Sequence, residues 1–146
     1  MIVYSGDDER FEYAYKFVST GSVDRNNRDN NDTLLDNGTL YVAKFNDDGT
    51  GMWLPLTLAA VNAASPGKFA SLGELLIRTR EAADVMGATP MDRPEDIEAP
   101  RDANWRGNGK VYLVCTNNSS RTAGQVNAAN PRAKNSAGDI LEITET

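Results

Sequence analysis

The segment Asp92-Arg93-Pro94-Glu95 combines residue types that could bind a phosphoryl group. In a β-strand, side chains two residues apart point to the same face, about 6.6 Å apart along the chain, so Arg93 and Glu95 are expected to project together. A guanidinium can grip an anion through two hydrogen bonds, and a carboxylate can hold a hard cation. Together they would suit a phosphoryl group that bridges a metal ion and an arginine. An ordinary ion pair at the start of a strand would leave the same pattern.

A second cluster of carboxylates lies near the N-terminus. Asp7, Asp8 and Glu9 follow Gly6, and Glu12 comes three residues later. Crowded carboxylates repel one another unless they are solvated or hold a cation. This pattern predicts either a solvated hairpin turn or a cation site.

The chain contains no histidine, which excludes several kinds of chemistry. A Ser-His-Asp triad, a Cys-His pair and a His-rich zinc site are all impossible within these residues. A metal ion would have to be held by oxygen ligands, which suit Ca²⁺, Mg²⁺, Mn²⁺ or ferric iron. The single cysteine, Cys115, lies in an apolar strand-like run and is interpreted as a core residue.

Charge and hydropathy narrow the expected partners. The formal net charge is −6 at pH 7, and phosphate backbones select basic surfaces, so no nucleic-acid partner is expected. No apolar run approaches the roughly 20 residues of a membrane-spanning helix, so no membrane partner is expected. The first residues have neither the basic region nor the apolar core of an export signal.

The elements that must position these residues are mostly short strands. The patterns predict seven of them, over residues 1–5, 11–18, 38–45, 52–56, 93–98, 110–116 and 138–144. One connecting helix is predicted over about 71–87, because Ser71 and Glu74 form a capping box and Gly87 suits a C-terminal cap. Polar loops are predicted over 19–38, 99–109 and 121–138.

Short strands in groups, separated by polar turns, predict an all-β fold of the β-propeller type. Both ends of the chain lie in strand-like segments, so residues 1–146 are expected to be a fragment of a single propeller domain, about two blades of a ring. In such blades Arg93, Glu95, the carboxylates near Gly6 and the pair Asn117 and Asn118 would share the face at the mouth of the central channel.

Several blocks of the chain, taken together, resemble the PhoX-type bacterial alkaline phosphatases. They span residues 3–13, 15–19, 34–49, 53–56, 87–95, 116–119 and 128–133. Their order and approximate spacing fit over nearly the whole chain. No single block is specific, but jointly they are.

The resemblance implies a six-bladed propeller that hydrolyses phosphate monoesters with a calcium and iron cluster. It implies that Arg93 contacts phosphate and acts in catalysis, that Glu95 is a metal ligand, and that Glu9 or Glu12 is another. Asp7, Asp8, Asn117 and Asn118 are further possible site residues. The resemblance also implies export through the twin-arginine route, and hence a periplasmic or extracellular parent protein.

The chain departs from the family in its extent. Family members are several hundred residues long, so the remaining blades and the cysteine ligand are expected to lie elsewhere, and Cys115 belongs to a different block. The isolated chain is therefore expected to be inactive. Two alternatives remain open: a non-catalytic propeller that serves as a binding or scaffold module, and a calcium-dependent propeller lactonase.

Overall fold

The structure is a computed structural model that describes residues 1–101 and 107–146. The chain folds into two compact units, one made of residues 1–4, 15–44 and 52–88, and the other of residues 5–14, 45–51 and 89–146. The regular elements, in chain order, are β1 (Ile2–Gly6), β2 (Arg10–Glu12), β3 (Ala14–Ser19), β4 (Gly38–Phe45), β5 (Gly51–Pro55), α1 (Leu58–Ala64), α2 (Leu72–Ile77), α3 (Thr79–Met86), β6 (Met91–Asp92), β7 (Pro94–Glu98), β8 (Lys110–Cys115) and β9 (Asp139–Thr144).

A four-stranded sheet dominates the first unit, with its strands in the order β1-β3-β4-β5. Strands β3 and β4 are antiparallel, with Tyr15 opposite Val42 and Ser19 opposite Gly38. Strand β5 lies at an edge of the sheet, where Pro55 is tolerated because its missing N–H removes no ladder bond from a central strand. The sheet has the strand number of a propeller blade.

Three short helices complete the first unit. Thr57 caps α1 by accepting a hydrogen bond from the Ala60 N–H, and Ser71 caps α2 by accepting one from Glu74. The helix predicted over 71–87 is divided into α2 and α3, because Arg78 leaves the helical conformation with φ −106° and ψ 40°. The left-handed Gly87, with φ 66°, ends α3 as the sequence predicts.

The core of the first unit is apolar and closely packed. Its fully buried residues come from the sheet, the helices and the segments between them, and include Val42, Leu56, Val61, Phe69, Leu75, Ala82 and Ala83. Burial of such side chains contributes roughly 1.5–3 kcal/mol each for the larger ones. This core, rather than the intrinsic propensity of helices of six to eight residues, stabilises α1 to α3.

The second unit contains two smaller antiparallel sheets. Strands β7, β8 and β9 form one, with β8 in the centre, and β2 pairs with β6 in the other. Alternation along β8 buries Val111, Leu113 and Cys115 on one face, as its apolar sequence predicts. The sheets position the segment from Met91 to Glu98.

The fold is mostly β, as predicted, and the predicted strands are present with small shifts at their ends. The strand predicted over 11–18 is divided at Tyr13 into β2 and β3, and α1 was not predicted. Part of the loop predicted over 99–109 lies outside the described residues. The propeller itself and the assignment of residues 1–146 to one domain remain predictions.

Candidate functional site

The candidate site lies in the second unit, where the loop after β1 meets the start of β7. Gly6 makes this approach possible. A Cβ atom at this position would lie 2.1 Å from the Pro94 carbonyl oxygen, far inside van der Waals contact. Only glycine therefore allows the loop that carries Asp7, Asp8 and Glu9 to lie against the backbone that directly follows Arg93.

Across this contact, Asp8 and Arg93 form a two-pronged ion pair. Arg93 Nε lies 3.0 Å from Asp8 Oδ1, and Arg93 Nη2 donates a hydrogen bond of 3.0 Å to Asp8 Oδ2. The side chains are 31% and 41% exposed, so the pair is in contact with solvent. The two candidate clusters recognised in the sequence, 85 residues apart in the chain, thus meet at this ion pair.

The backbone of Arg93 differs from the regular strand on which the sequence argument relied. Arg93 lies between β6 and β7 in the left-handed region, with φ 57°, and its carbonyl accepts a hydrogen bond from the Thr116 N–H. The β7–β8 register then shifts between Pro94 and Asp96. A left-handed residue and a bulge thus interrupt the regular alternation on which the sequence argument relied, and a shared face for Arg93 and Glu95 stays a prediction.

Behind Arg93, a buried ion pair fixes the segment that leads to it. Arg121 Nε lies 2.6 Å from Asp92 Oδ1, and the two side chains are 2% and 1% exposed. The other guanidinium nitrogens donate to the carbonyls of Gln125 and Pro90, at 2.7 and 2.8 Å. Each of the three guanidinium nitrogens of Arg121 thus donates to an acceptor, and the contacts with Asp92 and Pro90 hold residues 90–92 in place.

Asn135 extends this network toward β9. Its amide nitrogen donates to Asp92 Oδ2 at 3.1 Å and to Asp139 Oδ2 at 2.6 Å. Its side-chain oxygen accepts from the backbone N–H of Ala137 and of Gly138. Both oxygens of the buried Asp92 carboxylate are therefore hydrogen-bonded, as a buried charge requires.

Arg121 also contacts β2, the strand that carries Glu12. The Arg121 guanidinium carbon lies 5.1 Å from the centre of the Phe11 ring, within the range of a cation–π interaction. Phe11 is left-handed, with φ 63°, and lies in β2 between the predicted site residues Glu9 and Glu12. Arg121 therefore supports both segments that supply the candidate site.

The other predicted site residues differ in how exposed they are. Glu9 is exposed and accepts a hydrogen bond from the Arg10 N–H, whereas Glu12 is only 5% exposed and lies opposite Met91 in the β2–β6 pair. Glu95 and Asp7 are exposed. Asn117 is half-buried and Asn118 is fully buried, with its side-chain oxygen accepting from the Ser120 N–H.

The predicted carboxylate ligands do not form a metal site by themselves. Within residues 1–101 and 107–146, no three carboxylate or cysteine side chains come together as a group that could hold a metal ion. The oxygen chemistry of Glu9, Glu12 and Glu95 suits calcium or ferric iron, but their arrangement does not enclose one. Their roles as metal ligands remain predictions.

Cys115 has the properties of a core residue, as its apolar context indicates. It is 3% exposed, and burial raises the pKa of its thiol to about 12. The thiol therefore stays protonated at neutral pH, and a protonated thiol is neither a nucleophile nor a metal ligand.

Sequence reasoning missed Arg121, Asn130 and Asn135, which are all at least 98% buried. They lie in a segment rich in Asn, Ser and Gly that predicts a loop, and no periodic pattern marks them. One signal was available: Arg121 is flanked by two short turn-forming stretches, and Thr122 and Gln125 form a capping box.

Comparisons with known proteins agree on one family. A family model described as Alkaline phosphatase PhoX matches residues 1–146. Among solved structures, the chain is similar to Pseudomonas fluorescens PhoX in complex with vanadate, a transition state analogue, with 45% sequence identity and a TM-score of 0.83. No curated protein sequence matches the chain.

The extent of that structural match matters for function. It covers 97% of this chain but 25% of the Pseudomonas fluorescens chain. The chain thus spans about a quarter of the length of the solved structure it matches.

Proposed function

Because the chain belongs to the PhoX family of alkaline phosphatases, we propose that it is part of an enzyme that hydrolyses phosphate monoesters and that Arg93 binds the phosphoryl group. The observation that carries the proposal is the pairing and exposure of the Arg93 guanidinium. Its guanidinium is held at one end by Asp8 and remains 31% exposed, so a phosphoryl group can reach it from solvent.

The role of Arg93 in hydrolysis would be electrostatic. Negative charge on the phosphoryl oxygens is redistributed in the transition state, and a fixed guanidinium stabilises it without reorganising. The two contacts with Asp8 and the buried Asp92 next to Arg93 restrain it. The vanadate bound by the Pseudomonas fluorescens relative, described as a transition state analogue, supports a phosphoryl site in this family.

The proposal includes metal ions, with calcium and iron as the candidates. Glu95, and Glu9 or Glu12, would be ligands together with groups from outside the described residues, and the metal ions would contribute Lewis-acid chemistry. Treatment of the full-length protein with a chelator should abolish hydrolysis, and calcium and iron should restore it. Full activity after exhaustive chelation would refute the metal requirement.

We further propose a periplasmic or extracellular location for the full-length protein, as the family resemblance implies. In the described part of the chain, no helix is long and apolar enough to cross a bilayer. Cell fractionation of the native host, with activity measured in each fraction, tests the location.

The test of Arg93 uses the full-length protein that carries this chain. Arg93→Ala should lower kcat/KM for 4-nitrophenyl phosphate by about 10²–10³-fold, the cost of losing one electrostatic stabiliser of the transition state. Arg93→Lys should recover little, because an ammonium cannot form the planar fork. Arg28→Ala, which removes an exposed arginine of the polar loop, is the matched control.

Three outcomes separate the proposal from its alternatives. Unchanged hydrolysis in Arg93→Ala would refute the role of Arg93. A wild-type protein that opens lactones faster than it hydrolyses phosphate monoesters would favour a lactonase. A protein inactive toward both classes, with all metals supplied, would favour a non-catalytic propeller.

A further inference from the structure

We propose that Asp8 is a positioning residue that aims the Arg93 guanidinium at the phosphoryl group; this inference rests on the proposed function of Arg93. The family resemblance left Asp8 as one possible site residue among several carboxylates. Its contacts in the structure separate it from the others, because among the described residues it is the carboxylate that pairs with Arg93.

The geometry of the pair leaves one side of the guanidinium for a second anion. A guanidinium has five N–H donors in a fixed plane. Asp8 uses the edge formed by Nε and Nη2, with both distances at 3.0 Å. Of the three remaining donors, one on Nη1 and one on Nη2 form a second fork, and no contact between described residues uses Nη1 of Arg93. A phosphoryl group can take that fork with two oxygens.

The Asp8 carboxylate is itself held in place relative to Arg93. The Gly6 backbone lies against the Pro94 carbonyl, and the Glu9 N–H donates to the Asp7 carbonyl at 2.8 Å, which closes the turn that carries Asp8. A two-pronged contact from a carboxylate on a fixed turn restrains both the position and the plane of the guanidinium. Asp8 thus limits the rotamers that Arg93 would otherwise sample.

Stability does not explain this pair. Both partners are about a third or more exposed, and exposed ion pairs contribute little to the free energy of folding. Among the described residues, Asp8 is also not part of any group of three carboxylate or cysteine side chains that could hold a metal ion. Orientation of Arg93 is the effect that the geometry favours.

The experiment combines Asp8→Asn with Arg93→Ala in the full-length protein. Asp8→Asn should lower kcat/KM for 4-nitrophenyl phosphate by about 10- to 100-fold, the penalty expected for a misaligned catalytic group. Inhibition by vanadate should weaken by a similar factor. Asp8→Glu, which keeps the carboxylate on a longer side chain, should restore part of the activity, and the melting temperature of all variants should stay close to that of the wild type.

The double variant Asp8→Asn/Arg93→Ala distinguishes a positioning role from a purely structural one, because the effect of Asp8→Asn on kcat/KM can be compared with and without Arg93. If Asp8 acts through Arg93, Asp8→Asn should have no further effect in the Arg93→Ala background. Equal losses in both backgrounds would overturn the inference. An increase in affinity for phosphate in Asp8→Asn would also overturn it, because Asp8 would then compete with the substrate.

Two comparisons keep the inference distinct from the proposed function. Wild-type activity in Asp8→Asn together with loss of activity in Arg93→Ala would overturn the positioning role alone. Wild-type activity in Arg93→Ala would refute the proposed function itself. Asp36→Asn, which removes one exposed negative charge from the polar loop, controls for the change in net charge and should behave as wild type.

Discussion

Replacing Arg121 by methionine should cost the protein much of its stability. In the structure this arginine pairs with Asp92 at 2.6 Å, donates to the carbonyls of Gln125 and Pro90, and lies over the ring of Phe11. Methionine is a similarly long, unbranched side chain, so the substitution removes the charge and the donors while it retains much of the volume.

The magnitude follows from what the substitution leaves behind. Asp92 is 1% exposed and would keep Asn135 as a neutral donor but lose its counter-charge. Breaking a buried ion pair from one side costs about 3–5 kcal/mol, because an uncompensated charge remains in a poorly solvated site. We expect Arg121→Met to lower the free energy of unfolding by that amount.

Urea denaturation of the full-length protein, followed by circular dichroism and tryptophan fluorescence, measures this loss where the two probes coincide. Arg132→Met is the matched control. Arg132 also pairs with an aspartate, Asp139, but its side chain is 53% exposed. Asp139 is 13% exposed and would keep Asn135 as a donor, so the loss of the half-exposed Arg132 should cost about 1 kcal/mol, less than the loss of a fully buried partner.

The double variant Asp92→Asn/Arg121→Met tests the reasoning directly. Once the charge of Asp92 is also removed, the cost of Arg121→Met should fall by at least about 2 kcal/mol. The explanation is wrong if the two single losses simply add. It is also wrong if Arg121→Met destabilises the protein no more than Arg132→Met.

Two further predictions concern other parts of the chain. Gly6→Ala should destabilise the protein by about 1–3 kcal/mol in urea and lower phosphate hydrolysis, because its Cβ would overlap the Pro94 carbonyl; Gly124→Ala, whose Cβ would meet nothing within 4 Å, should be close to neutral. The hydrogen bonds of Arg78 lower the pKa of Glu81 from 4.5 to about 2. A lowered folded-state pKa stabilises the protein above the unfolded value, so the gap in melting temperature between wild type and Glu81→Gln should be full above about pH 5 and vanish toward about pH 2. A gap that persists unchanged at about pH 2 would contradict this assignment.

The strands were predictable because one-sided burial leaves a pattern in the sequence. The bounds predicted for the third strand, 38–45, agree with β4, and the apolar run in β8 has the alternating burial expected of a central strand. The division at Tyr13 was not predictable in the same way, since the aromatic residues continue across it.

The prediction of the helices rested on local capping signals, and some of these signals were missed. The caps at Ser71 and Gly87 were correct, but Arg78 interrupts the helix while it contacts Glu74 on one side and Glu81 on the other. Helix α1 was missed, although Thr57 followed by an alanine-rich segment is a recognisable start signal.

The candidate site was predictable in its residue types but not in its geometry. Arg93 and the carboxylates after Gly6 were identified from their chemistry, and they do meet. Their partners were not identified, because the burial of Arg121 and Asn135 depends on tertiary contacts with Asp92 that no local pattern records. The sequence also could not reveal that Arg93 adopts a left-handed backbone.

Two of the three left-handed non-glycine residues in the described part of the chain, Phe11 and Arg93, also bear on attempts to engineer this protein. A non-glycine residue in that region carries strain of about 1–3 kcal/mol, which glycine would relieve. A selection for thermal tolerance alone would therefore tend to replace them, and at position 93 would discard the guanidinium. Selection for heat resistance and selection for phosphate hydrolysis are therefore expected to favour different residues at position 93.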